Sequence, residues 1–349
     1  MQQRTRFKIR MILVLTTVAA LAGAGFGLVV AGASADTGTP DYGLGIARGL
    51  WTGTSIALPV ALWEVLYVNE RRGMWLRQLP FTWHLLIRTL FYLAVILIAI
   101  WVAAGLFDSS EDAGLGLNPD TLTQLGFSFV AALTANFAMM LNRLLGQSVF
   151  RDFLTGRYHK PKIEHRVLLF VDVAGSTSLA EEIGDTAFHL YLNEVYRRLS
   201  VPVIERRGRI HKYVGDEMIV SWIDSPRSRT AALRCGLDML AVLDRDRGWF
   251  EQRFGTSRTI RCGLHAGPVV VGEMGDVRQE IVYLGDAMNL TARLVDLCRE
   301  HQRSMLVSHA VLKDADAEEF AMVEPLGNTD IRGHRAPIAI AALSRREMP

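Results

Sequence analysis

Residues 11–33 form a predominantly apolar run of 23 residues without one charged side chain. As a helix rising ~1.5 Å per residue it spans about 34 Å, enough to cross the hydrocarbon core of a bilayer. Residues 49–68, 85–107 and 122–145 are three further apolar runs of span length. The first 145 residues are therefore expected to be an all-α transmembrane domain of four helices, with residues 146–349 lying outside the bilayer. Hydrophobic residues at 50% of the chain against 21% charged fit that division, and a net charge of +2 gives no ground for a nucleic-acid partner.

The distribution of basic residues orients the spans. Arg4, Arg6, Lys8 and Arg10 precede the first, Arg71, Arg72 and Arg77 lie between the second and third, and Arg143, Arg151 and Arg157 follow the last. The connection after span one carries Asp36 and Asp41, and residues 108–120 hold acids and no Lys or Arg. By the positive-inside rule the N-terminus and residues 146–349 face the cytoplasm, which makes this a multi-pass protein of the inner cell membrane. Trp51, Trp63, Trp75, Trp83 and Trp101 fall in this half, several near span ends, as an interfacial belt places them. A second reading of the first span is a cleaved signal, because Ala33, Ser34 and Ala35 form a small-residue cleavage pattern after a basic start. The apolar run is longer than a signal core needs, and three remaining spans still leave the later domain cytoplasmic. Arg48, Glu64 and Arg88 sit near span ends and are expected to snorkel toward headgroups.

In the second half, residues 167–171 are apolar, rich in β-formers, and end at Asp172, followed by a turn of small residues at 174–177. A second strand, 209–214, ends in Gly215 and Asp216, and 217–222 resumes as a strand. Two carboxylates thus stand on tight turns at strand ends. Brought close they repel, and one must take up a proton unless a cation lies between them; a hard divalent ion, Mg²⁺ or Mn²⁺, is the usual solution. Between them, 177–207 supplies a helical crossover: Leu179 and Ile183 on a short helix, then Phe188, Leu192, Val195, Leu199 and Val203 at helical spacing. Strand, helix, then a hairpin bearing the second Asp is the opening of a ferredoxin-like βαββαβ core, so the fold class is α+β. Residues 231–243 should pack on the sheet. Residues 146–165, polar, basic and broken by Pro161, read either as a coupling segment or as a plain tether against anionic headgroups.

Three ordered stretches, FVDVAGST, KYVGDEM and GDAMNLTAR, resemble the catalytic domain of class III nucleotidyl cyclases, which form 3′,5′-cyclic nucleotides from ATP or GTP. The resemblance covers about residues 163–345. It implies metal binding by Asp172, Asp216 and the Val173 carbonyl, with two divalent cations, Mg²⁺ or Mn²⁺. It places the triphosphate against the backbone amides from Ala174 through Gly175, Ser176 and Thr177. Lys212, four residues before Asp216, falls where the family contacts adenine N1. Asn289 and Arg293, four apart and so stacked on one helical face with Asp286 as the cap, match the pair that contacts the ribose and the charge developing on the α-phosphate. Arg332, in the stretch DIRG, would meet the pyrophosphate. Because the family splits these residues between subunits and this chain carries both sets, a homodimer with two composite sites is implied, with ATP as substrate and the bilayer as anchor.

One position departs from the family. Seven residues before Asn289 many members carry Asp or Thr for the purine, and Val282 offers no polar side chain. That keeps a guanylyl cyclase in view. A silent receptor typically lacks a metal Asp or the catalytic Arg, and neither is missing; the single glycine before Asp216 and the downstream Asn289 and Arg293 argue against a diguanylate cyclase. Cys235, Cys262 and Cys298 form no CxxC pair and read as reduced, packed thiols, while His211, His265 and His334 lack ligand spacing and read as structural.

Overall fold

The structure, a computed structural model, describes residues 2–33, 41–68, 75, 79–107, 122–123, 125–131, 133–134, 137, 152–153, 155–277, 279–330 and 337–346. The chain divides into two compact units, Met1–Leu141 and Asn142–Pro349.

The first unit contains helices α1 (Gln2–Ala33), α2 (Tyr42–Trp63, continued by a π-helical turn over Glu64–Val68) and α3 (Phe81–Phe107). Within them Ile9–Gly32, Tyr42–Val68 and Leu86–Phe107 are long and apolar enough to cross a membrane. The second span begins seven residues before the expected position 49, at a cap where Asp41 Oδ1 accepts from the Leu44 amide at 2.9 Å. Half of the expected fourth span, 122–145, lies outside the described residues, and the residues of it that are described are helical. Helices α1 and α2 pack backbone to backbone. A Cβ on Gly27 would lie 2.0 Å from the Gly45 carbonyl oxygen, and one on Gly49 would lie 2.1 Å from that of Gly23. Only glycine permits such an approach, and lipid offers no hydrophobic drive to replace the packing it gives.

The snorkelling expected of Glu64 and Arg88 is corrected by their burial. Both are about 5% exposed, and they face each other from α2 and α3 with Arg88 Nη2 2.7 Å from Glu64 Oε1. The Tyr92 hydroxyl donates to the same carboxylate oxygen at 2.6 Å. An isolated charge in apolar surroundings costs too much to leave unpaired, and the partner on the neighbouring helix is nearer than the interface.

The second unit is an α+β domain. Its elements are β1 (Lys162–Val173), α4 (Ser176–Ile183), α5 (Asp185–Glu205), β2 (Arg209–Val214), β3 (Glu217–Ile223), α6 (Pro226–Arg245) and α7 (Arg247–Phe254). There follow β4 (Ile260–Met274), β5 (Glu280–Leu284), α8 (Asp286–Glu300), β6 (Met305–Ser308), α9 (His309–Leu312), β7 (Ala321–Thr329) and β8 (Ile338–Arg345). The sheet runs β2-β3-β1-β4-β6-β8-β7, with β5 paired to β4. Its first four strands are the expected ferredoxin-like core. Central β1 is antiparallel to both neighbours, β3 and β4. Its apolar run is continuous because both faces are covered: Val167, Leu169 and Val171 join the core beneath α5 and α6, while Leu168 and Phe170 join Val269, Tyr283, Ala287 and Val295 on the other face.

β1 begins at Lys162, before the expected boundary at 166, and the preceding turn belongs to the same unit. Tyr158 is fully buried, Asp152 is ion-paired with Arg209 on β2, and Arg166, 2% exposed, donates to the Tyr158 hydroxyl at 3.0 Å. The three cysteines are free and buried, and burial pushes the Cys298 thiol up to about 12.

Candidate active site

The β-bulge-bearing hairpin β2–β3 and the end of β1 converge on one corner of the sheet. Asp172 is the penultimate residue of β1 and stands in register with Glu217 on β3 and Arg261 on β4. Asp216 occupies the β2–β3 turn beside Gly215, whose φ of +61° favours a residue without Cβ. The Tyr196 hydroxyl on α5 donates to the Gly215 carbonyl at 3.0 Å and its ring packs on Tyr213, centroids 4.6 Å apart, which fixes the turn from outside the sheet.

The two aspartates the sequence pointed to are brought together. Burial, then a hydrogen bond and repulsion from Asp216, push the Asp172 carboxyl up to about 7, against the weaker opposing pull of Arg261. The Arg261 guanidinium approaches only to 3.8 Å. Glu217 is likewise raised to about 7, by burial and by Asp216 and Asp296. Three acids crowd one corner with one arginine at its edge. Such a donor set fits a divalent cation, since oxygen ligands carrying uncompensated negative charge are what Mg²⁺ and Mn²⁺ take. Among the described residues no group of three His, Cys, Asp or Glu has metal-binding geometry, so the fit rests on the aspartate pair, with the Val173 carbonyl one residue on.

The turn after β1 opens α4 at Gly175, with φ +69°. The first intrahelical bond runs from the Leu179 amide to the Gly175 carbonyl at 2.9 Å, so the Gly175, Ser176 and Thr177 N–H groups lie ahead of the helical ladder. Ala174 is different: its N–H donates to the Thr259 carbonyl at 3.0 Å, which removes it from the expected phosphate-facing set.

Lys212 lies on β2 with its ammonium 3.3 Å from Glu280 Oε2 on β5. Asn289 and Arg293 share the exposed face of α8, opposite buried Leu290 and Leu294. The carboxylate on Arg293 is Asp296, at 3.0 Å. The cap of α8 is Gly285 and not Asp286, because the turn requires φ 138° and puts Asp286 into the first helical turn, where the helix dipole favours an acid. Arg332 and His334 lie outside the described residues. Of the other histidines, His211 stacks on Tyr283 with centroids 3.9 Å apart, and His265 Nδ1 is 2.8 Å from Ser308 Oγ.

Glu217, Arg261 and Tyr196 belong to this corner, and Glu280 pairs with Lys212 at the neighbouring edge; sequence reasoning assigned none of them a role. Glu217 lies within the KYVGDEM stretch and was in view; the others are brought in by strand register and by helix packing, for which one sequence carries no local signal.

A ferredoxin-like sheet with two carboxylates crowded at the end of β1 and in the β2–β3 turn, and an Asn and Arg pair on the helix after the β4–β5 hairpin, is the constellation of a nucleotidyl cyclase domain. Residues 158–342 match the family described as "Adenylate and Guanylate cyclase catalytic domain". The chain is 32% identical over 326 residues to "Adenylate cyclase 2" of Rhizobium meliloti, covering 91% of this chain and 88% of that protein. It is 27% identical over 157 residues to an adenylate cyclase of Anabaena cylindrica, covering 44% of this chain and 31% of that one. A solved bacterial light-regulated adenylyl cyclase shares the fold with a TM-score of 0.56 at 21% identity, over 67% of this chain and 68% of that one. The chain belongs to the class III adenylate and guanylate cyclase family.

Proposed function

We propose that this protein is a membrane-anchored adenylyl cyclase that converts ATP to 3′,5′-cyclic AMP and pyrophosphate on the cytoplasmic side of the inner membrane. The observation that carries the reading is the crowding of Asp172, Asp216 and Glu217 where β1 ends beside the β2–β3 turn, an arrangement of like charges that costs stability and that cation binding would relieve. Two divalent cations, Mg²⁺ or Mn²⁺, held by Asp172, Asp216 and the Val173 carbonyl, would lower the pKa of the ribose 3′-hydroxyl and neutralise the phosphates.

The chain's own residues do the positioning. Amides of Gly175, Ser176 and Thr177 at the start of α4 receive triphosphate oxygens. Arg293 offers a permanently charged donor to the α-phosphate as charge develops there, Asn289 holds the ribose, Arg332 meets the pyrophosphate, and Lys212 donates to adenine N1. Because Asn289 and Arg293 point outward and Arg293 is paired with Asp296, not with the aspartate corner, they are read as serving the corner of a second copy. The working unit is then a homodimer with composite sites. Residues 146–165 couple the spans to it; three apolar helices support the membrane placement, and the basic residues before the first apolar run, between the second and third, and after residue 142 support the cytoplasmic side.

The test is cyclic nucleotide production by the full chain in lipid nanodiscs, with ATP and GTP offered separately in Mg²⁺ or Mn²⁺. Cyclic AMP from ATP supports the reading. Cyclic GMP as the sole product replaces it with a guanylyl cyclase, and no product under any condition replaces it with a silent receptor.

A further inference from the structure

Val282 leaves the base-reading strand without a polar side chain where the family usually has one, yet the structure offers an acid two residues away. Glu280 and Val282 lie on the same side of β5, since Ile281 and Tyr283 between and beyond them are buried. The Glu280 carboxylate sits 3.3 Å from the Lys212 ammonium, with the two side chains 38% and 45% exposed. An ion pair this open adds little to stability.

Its placement is nevertheless built. β2 and β5 are not sheet neighbours, and what holds them together is a stack beneath the pair. His211, next to Lys212, lies flat on Tyr283, with 7° between the rings. The fully buried Arg166 guanidinium packs on the same ring at 5.0 Å, and the Tyr283 hydroxyl is 3.3 Å from Ser221 Oγ.

We propose that Glu280 is a specificity-determining residue that accepts a hydrogen bond from the 6-amino group of adenine while Lys212 donates to N1. This rests on the cyclase reading above. An ammonium only donates and a carboxylate only accepts, so the pair complements the donor at position 6 and the acceptor at position 1 of adenine. Guanine in the same register presents O6 to the carboxylate and N1–H to the ammonium, and both contacts become repulsive. The pair therefore selects ATP against GTP without help from position 282.

The experiment compares kcat/KM of the full chain and its Glu280→Ala variant in nanodiscs for ATP, GTP and purine riboside triphosphate, which lacks the 6-amino group. The unsubstituted chain should prefer ATP over the amino-less analogue by roughly 10- to 100-fold, the worth of one hydrogen bond to a charged group. In Glu280→Ala that preference should collapse to near unity, with ATP turnover reduced by the same factor and GTP turnover undiminished; the retained GTP turnover shows the variant folded. An equal loss for all three substrates, or a persisting preference for ATP over the analogue, would overturn the proposal while leaving the cyclase reading intact. No cyclic product from any substrate by the unsubstituted chain would overturn both.

Discussion

The two units treat a buried acid in opposite ways. In the N-terminal helical unit Glu64 is matched by Arg88 at 2.7 Å and by the Tyr92 hydroxyl, so charge is cancelled inside the protein. In the cyclase unit Asp172 is set against Asp216 and beside Glu217, with Arg261 no nearer than 3.8 Å. The first arrangement is complete without a ligand and the second is not. A fold that leaves like charges together at a strand end stores a cost that a cation relieves, and this difference, more than burial itself, separates a structural acid from a functional one.

The comparison breaks most visibly if one acid of the corner is removed. Asp216→Asn should lower cyclase turnover by about 10³-fold or more, as the loss of a centre that stabilises transition-state charge does. The same substitution should raise stability in the presence of chelator. Asp172 titrates near 7 when folded, well above its unfolded value, so the metal-free protein loses stability as pH rises between about 4 and 7. Relieving the repulsion should return about 1 kcal/mol at pH 8 and nothing near pH 4, read as thermal midpoints against pH. A variant less stable than its parent at pH 8 would contradict this.

In the N-terminal helical unit the signs reverse. Arg88→Met alone leaves the Glu64 carboxylate buried without its cation and should cost about 3 kcal/mol of stability in detergent or nanodiscs. Combining it with Glu64→Leu should recover most of that loss, because two apolar residues need no partner. Equal damage from the single and double variants would show that the pair does more than cancel charge.

A smaller effect concerns the stack under the base-facing edge. Burial, with Lys212 and Arg166 nearby, depresses the His211 imidazole to about 4. The unfolded chain takes up this proton near 6.5, so stability present above that pH is lost as pH falls toward 4. His211→Phe keeps a ring on Tyr283 without the titration. The acid limb of its stability profile should be shallower by on the order of 2 kcal/mol at pH 4, with little change at pH 8. Superimposable profiles would contradict the assignment.

Much of this was legible in the sequence, where the signal is local. Strand β2 matches its expected bounds, and β1 and β3 extend theirs at the ends, because alternating and continuous apolar runs ending at Gly and Asp carry their own punctuation. The three long apolar helices were legible for the same reason, being long and nearly free of charge. What stayed hidden was pairing across distance. Arg88 and Glu64 looked like span-end charges because periodicity says nothing about which helix lies opposite. Glu280 meets Lys212 only because the Tyr283 and His211 rings hold β5 over β2. Arg166 carries no local sign of the Glu164, Tyr158 and Ser221 groups that surround it. The extra strands β6, β7 and β8 beyond the ferredoxin-like core were likewise unannounced: β6 has only four residues and β7 is broken by an irregularity between Pro325 and Gly327.

The account turns on one claim, that the aspartate corner of one copy works with Asn289 and Arg293 of another. The direct measurement is cyclic AMP formation by co-expressed Asp172→Ala and Arg293→Ala chains, each inactive alone, after heterodimers have been isolated by two affinity tags. A shared site predicts recovery in the heterodimer to about half of the unsubstituted activity, since one of its two sites is whole. Isolated heterodimers as inactive as either parent would contradict it.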